Sequence, residues 1–332
     1  MEEIKCIFCD RLNNQIVIQE NGYKGIKCYE CGLIYISPRP KVEEIIKLYS
    51  HGMANASAES HISASFVKRL YAKHHLAKIK MFIKKGTMLE IGAGAGYFLD
   101  EARKELFEVY GIELNSVQAE FMRNKLGIPC EESLLDVTLY GGKKYDIIYH
   151  CDVMSHFYNP ISEFHKINNM LNKNGLVIFE TGNLGDVRKE YYKHFAKFQY
   201  PDHLFFFSEN NLLELLRRTG FELVKVYKYS ILPQLILNKK LNRLISLLQP
   251  HVRAEDKVTH SVPEVSLPDV SKSNPNRVNS RQLFKKAYNY AFNFASNYLT
   301  DCLSYFSRYK IGYLACKKGR PQTIIIIARK KN

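Results

Sequence analysis

The sequence predicts an α/β fold built on a mostly parallel sheet, with a small cysteine-rich leader ahead of it. Two observations carry the sheet. From about residue 62 to 230, apolar strand-like runs alternate with helical patterns, as the strand–helix–strand units of a parallel sheet require. Within that stretch TMLEIGAGAGYFL (87–99) runs from a strand through glycines at alternate positions into a helix, a turn that lets a ligand approach the main chain. The leader rests on a third observation, two Cys-x-x-Cys pairs within residues 6–31.

Composition sets the outer bounds. The chain has 332 residues and is 46% hydrophobic, enough for a substantial core. Domains usually run to ~100–200 residues, so one main domain with attachments fits better than three equal ones. No run of about eighteen uncharged apolar residues reads as a membrane span. The opening MEEIKCIFCD is acidic and lacks the apolar centre of a secretory signal. These features predict a cytoplasmic chain with reduced cysteines. The net charge is +15, and residues 281–332 hold eleven Lys and Arg against the single acid Asp301. A basic end of this kind favours anionic partners: nucleic acid, acidic lipid head groups or a phosphorylated substrate.

In the leader, Cys6 and Cys9 form one pair and Cys28 and Cys31 the other. Each pair can point two thiolates at one ion, and two such turns complete a tetrahedral four-sulfur zinc site. Four thiolates leave no open position, so this zinc is expected to be structural. Gly32 follows the second pair, where a tight knuckle favours positive φ, and Asp10 stands at the equivalent place in the first. Cys130, Cys151, Cys302 and Cys316 lack such spacing and read as ordinary buried or half-buried thiols. KVEEIIKLY (41–49) reads as a short amphipathic helix and the small polar run 50–61 as a linker.

At the glycine turn, Gly92, Gly94 and Gly96 follow the strand, and Glu90 stands just before them. A carboxylate there would repel a pyrophosphate and pair with an ammonium. About twenty residues on, the strand EVYGIEL ends in Glu113, where an acid can accept hydrogen bonds from both hydroxyls of a ribose. Beyond 230, residues 250–280 carry four prolines among Ser, Asn and charges and are expected to be disordered. Residues 283–306 return to helical spacing, with Phe284, Tyr288, Phe292, Ala295, Leu299, Leu303 and Phe306 on one stripe. TIIIIARKK closes the chain as a β-branched strand.

LEIGAGAGYF followed by GIEL resembles the first motif and acidic strand end of class I S-adenosylmethionine (SAM)-dependent methyltransferases. KYDIIYHCDVMSHFYNP, NMLNKNGLVIFETGN and DHLFFFSENNLLELLRRTGFELV resemble the later segments of that family. CxxC…CxxCGLIYISPRP resembles the zinc-ribbon leader of bacterial members that tailor surface polysaccharides, sugars and small molecules. The resemblance covers residues 1–230 and about the last fifteen. It implies a Rossmann-like class I methyltransferase fold, a seven-stranded, mostly parallel sheet. To this it adds an N-terminal four-Cys zinc ribbon and an α-helical insertion between the last two strands. The implied organisation is a zinc ribbon and short helix at 1–50, the SAM-binding domain at 60–230 plus 320–332, and the insertion at 231–319.

The resemblance also implies residue roles. Glu90 lies near the SAM amino group, Gly92, Gly94 and Gly96 pass beneath the methionine and ribose portion, and Glu113 holds the ribose. Glu132 and Ser133 approach the adenine, and Asp152 lies beside the methionine. His156 matches the histidine of an Glu-His pair whose acid is here Ser155. The base candidates are His203, which precedes LFFFS on the substrate side, and His156. Tyr191, Tyr192 and Tyr200 are candidate acceptor-pocket residues. The expected activity is methyl transfer to an O or C atom of a sugar, glycan precursor or other small-molecule or lipid-linked acceptor. An RNA methyltransferase is the alternative, disfavoured because HCDVMSH replaces the Asn/Asp-Pro-Pro-Tyr/Phe motif of amino-methylating enzymes. A non-catalytic SAM-binding scaffold or sensor is a further one. Helix 283–306 is expected to act as a lid beside the site or to lie on the inner face of an anionic membrane.

Overall fold

The computed structural model describes residues 1–49, 52–135, 137–248 and 298–331. The leader forms an antiparallel meander of β1 (Ile16–Glu20), β2 (Tyr23–Lys27) and β3 (Ile34–Ile36). Asn21 and Gly22 both take positive φ between β1 and β2, the turn whose twist matches a hairpin. Three helices follow: α1 (Val42–Tyr49), α2 (Gly52–Ser63) and α3 (Ser65–Ile79). The predicted linker at 50–61 is therefore helical from Gly52. Its alanines suit a helix, and it packs on the main domain, where Asn115 donates to the side chain of Asn55 at 3.3 Å.

The main sheet begins with β4 (Gly86–Ile91), α4 (Tyr97–Lys104), β5 (Phe107–Glu113), α5 (Ser116–Phe121) and β6 (Cys130–Glu132). It continues through β7 (Tyr145–Cys151), α6 (Pro160–Met170) and β8 (Leu171–Gly182). The short β9 (Phe205–Phe206), which lies outside this sheet, then α7 (Glu209–Arg218), β10 (Phe221–Ser230), α8 (Leu232–Leu248) and β11 (Gln322–Lys330) complete the domain. The strand order is β10-β11-β8-β7-β4-β5-β6. Strands β4 to β8 pair in parallel, and β11 runs antiparallel to both β8 and β10.

Both faces of this sheet are covered, and β11 shows how. Ile324 and Ile326 join one hydrophobic cluster, while Ile325 and Ile327 join the other. A strand buried on both sides reads as a continuous β-branched run, and each isoleucine so buried contributes roughly 1.5–3 kcal/mol. The leader is not a separate bead. β9, from the main domain, pairs with β3 through Ile34↔Phe206 and Tyr35↔Phe205, and leader side chains share one core with the sheet.

In the insertion, residues 298–306 are helical and run into a π turn at Ser307–Ile311. The predicted disordered stretch 250–280 and the first part of the predicted helix, 283–297, lie outside the described residues.

Candidate active site

The parallel strands end along one edge, and the sequence-predicted residues gather there. Gly92, Gly94 and Gly96 all take positive φ, at 66°, 55° and 76°. Their surroundings differ. A methyl group on Gly92 would strike Val153 at 2.6 Å and one on Gly96 would strike Met122 at 2.6 Å, whereas one on Gly94 meets nothing nearer than Gln118 at 3.9 Å. Open space thus lies above Gly94 alone of the three. Glu113, at the end of β5, accepts the Gly94 N–H at 2.7 Å and the Asn115 N–H at 2.8 Å.

Glu90 is 4% exposed, and its Oε2 has no hydrogen-bond partner among the described residues. Burial, helped by the nearby Glu113 charge, holds its pKa well above the usual carboxylate range. A buried, unpartnered carboxyl oxygen costs free energy unless something polar or cationic meets it.

The other predicted positions fall along the same edge. Glu132 ends β6 in register with Glu113 and is exposed. The Oγ of Ser133 is buried without a partner among the described residues. Asp152 follows β7 with φ 56°, its N–H donating to the Glu180 carbonyl at 2.9 Å, and its side chain stays open to solvent.

His156 and His203 come together with two residues the sequence did not single out. His156 Nδ1 lies 3.0 Å from Asp202 Oδ1 and 2.9 Å from the hydroxyl of Tyr49, at the end of α1. Tyr49 also donates to Asp202. His203 packs edge-on against His156 with ring centroids 4.7 Å apart. Burial works against the His156 charge, but the Asp202 carboxylate outweighs it and raises the pKa above the ordinary histidine value. Burial and the neighbouring His156 push His203 down to about 4. The Tyr49 carbonyl accepts from Asn115 at 3.2 Å, which ties α1 to the strand end bearing Glu113. Asp202 was legible only as the neighbour of His203.

Tyr200 departs from its expected place in an acceptor pocket. It is buried against the leader, where its hydroxyl fills the space left by the missing side chain of Gly25. Tyr192 packs on Phe198.

A second cluster was not anticipated. Glu180, fully buried near the end of β8, receives Arg308 from the insertion. It also meets His75 of α3 at 2.5 Å, the Tyr309 hydroxyl at 3.1 Å and the Thr323 hydroxyl at 2.6 Å. Arg308 and His75 hold the Glu180 carboxyl well below the usual range, against the effect of burial.

In the leader, one sulfur from each of Cys6, Cys9, Cys28 and Cys31 lies within 4.8 Å of the others. The two knuckles match bond for bond. Asp10 N–H donates to the Cys6 carbonyl and Gly32 N–H to that of Cys28, while Cys6 and Cys28 N–H donate to Arg11 and Leu33. Asp10 adopts φ 51° beside the 74° of Gly32. Aspartate is among the few side chains that tolerate that region, which explains why the first knuckle dispenses with glycine.

A family model described as a methyltransferase domain matches residues 63–226. The chain carries a class I SAM-dependent methyltransferase domain. No curated protein matches this methyltransferase in sequence. Among solved structures it is similar to a coclaurine N-methyltransferase bound to N-methylheliamine and SAH, at 15% identity over 79% of this chain and 72% of that one, TM-score 0.45. It is also similar to the [4+2]-cyclase SpnF, at 13% identity over 89% and 98%, TM-score 0.49. A cyclopropane synthase from Mycobacterium tuberculosis matches at 16% over 77% and 84%, TM-score 0.44.

The residues present fit SAM. An unpartnered buried oxygen on Glu90 awaits a cation, and the main chain at Gly94 is open to a ligand. The cysteines fit zinc: Zn–S bonds of about 2.3 Å in a tetrahedron put the sulfurs about 3.8 Å apart, and Cys6 and Cys31 already stand at 3.4 Å.

Proposed function

We propose that this enzyme methylates an O or C atom of a sugar, glycan precursor or other small-molecule or lipid-linked acceptor. The observation that carries this reading is the Tyr49–Asp202–His156 chain of hydrogen bonds beside the cofactor edge. An amine nitrogen can attack a methyl group with its own lone pair. A hydroxyl or an acidic C–H must give up a proton, and so needs a base.

When bound, SAM supplies a methyl group on a sulfonium, an electrophile that needs no covalent enzyme intermediate. The chain's own tasks are to align the acceptor and remove its proton. Asp202 fixes Nδ1 of His156 and so leaves Nε2 to take that proton, the orientation logic of an acid–histidine pair. What favours His156 over His203 is this carboxylate: the buried His203 ring, near 4, is a weak base at neutral pH. His203 in this reading packs and orients His156.

For the cofactor we assign Glu90 to the amino group, the backbone at Gly92, Gly94 and Gly96 to the passage beneath the methionine and ribose, and Glu113 to the ribose. Glu132 and Ser133 would serve the adenine and Asp152 the methionine portion. Zinc on Cys6, Cys9, Cys28 and Cys31 is structural.

Incubation of cell extract with methyl-labelled SAM, followed by separation into RNA, lipid, glycan and small-molecule fractions, tests the reading. Label in glycan, lipid or small-molecule products, lost in His156→Asn, is the expected result. Label confined to RNA overturns it.

A further inference from the structure

We propose that the outer face of residues 298–318 docks this methyltransferase onto an anionic lipid surface, a property separate from the atom it methylates. An ordinary surface helix turns its apolar stripe inward. This segment does the reverse. Toward the domain it presents Ser304, Ser307 and Tyr309, all buried. Ser304 donates to Asn238 of α8 at 2.8 Å, Tyr309 stacks on His74 with centroids 3.9 Å apart, and Arg308 reaches Glu180. Away from the domain stand Leu299, 57% exposed, Phe306, 53%, and Leu314, 82%.

These three lie on one face. Leu299 and Phe306 are two helical turns apart. The π turn at Ser307–Ile311 absorbs one extra residue and carries the same face on to Leu314. The same segment exposes Lys310, Lys317 and Lys318, and α8, which packs against it, exposes Lys239 and Lys240. Among the described residues of the insertion the only acid is Asp301.

A contiguous apolar face outside the core marks an interaction site, and here its charge selects the partner. Apolar side chains enter the boundary of the bilayer while lysines meet acidic head groups. No described helix is long and apolar enough to cross a membrane, so the contact is with its surface. The location has a consequence for the site. Arg308 fastens this segment to Glu180, which pairs with Cys151 in the ladder, one residue before Asp152. A bilayer held here borders the edge where an acceptor enters.

The 332-residue chain is sedimented with phosphatidylcholine vesicles, with and without phosphatidylserine. Pelleting with the acidic vesicles, lost in their absence and at high salt, is expected. Leu299→Ser, Phe306→Ser and Leu314→Ser together should abolish it. Lys310→Gln, Lys317→Gln and Lys318→Gln together should weaken it on the order of a hundredfold, about fivefold per lysine. Both variants should bind SAM as the wild type does, which shows that they fold. Wild-type protein that stays in the supernatant overturns the proposal, as does pelleting that survives both variants or ignores phosphatidylserine. A dimer by sedimentation velocity that the serine variant abolishes, with no vesicle binding, assigns the face to a second copy and overturns the lipid partner. None of these readouts requires methyl transfer, so they stand whatever the acceptor proves to be.

Discussion

Replacing Gly94 with alanine separates the cofactor's need for this turn from the fold's need for it. At φ 55° an L side chain costs roughly 1–2 kcal/mol. The added methyl meets no protein atom nearer than 3.9 Å, so no clash adds to that cost. At a few degrees per kcal/mol, Tm should fall by roughly 2–8 °C. The methyl stands in the space through which SAM would approach the main chain, and affinity should fall at least about tenfold, equivalent to ~1.4 kcal/mol. Gly96→Ala is the contrast. Its methyl would lie 2.6 Å from Met122, so overpacking of about 1–3 kcal/mol adds to the backbone cost, and the Tm loss should be the larger. Calorimetric titration with SAM and thermal melts of both variants measure the two effects. Wild-type SAM affinity in Gly94→Ala would refute the placement of the ligand over this turn.

Three other outcomes are expected. Cys28→Ser should lose the metal, measured by elemental analysis of purified protein; because β3 pairs with β9 close to Asp202 and His203, turnover should fall far more than SAM affinity. Asp202→Asn removes the carboxylate that raises the His156 pKa, leaving burial to lower it. A base works unprotonated, so the acid limb of the kcat/KM profile should move to lower pH while the plateau drops; an unmoved limb excludes His156. Arg308→Ala strips the fully buried Glu180 of its arginine and should cost about 3–5 kcal/mol in urea unfolding, whereas pairing it with Glu180→Gln should recover much of that loss.

The features legible from sequence were those whose chemistry and geometry sit in one short segment. Alternating glycines with an acid before them, cysteines three apart, and a β-branched run each impose a local conformation through sterics and period, wherever the segment ends up. Hence the class of the fold, the glycine turn with Glu90 and Glu113 beside it, and the cysteine knuckles follow from local pattern. Local pattern also misled where it was weak. The polar run at 50–61 carries no amphipathic period, and its helix is set by what α2 packs against, Asn115 among them.

Tertiary structure alone decided the rest. Tyr49 stands 107 positions from His156, and His156 stands 46 from Asp202. Glu180 gathers His75 and Arg308 from opposite sides of the chain, and β3 finds its outer partner in β9. The stripe through Leu299 and Phe306 is plain in the sequence, yet its outward direction is not, because a helix turns inward whichever face its neighbours satisfy better. Here a buried carboxylate wanted an arginine, and Arg308 lies on the other face. Period and turn chemistry act over a few residues and are written locally. Which charges and rings meet depends on the positions that the whole sheet assigns to distant segments, and no stretch of sequence carries that by itself.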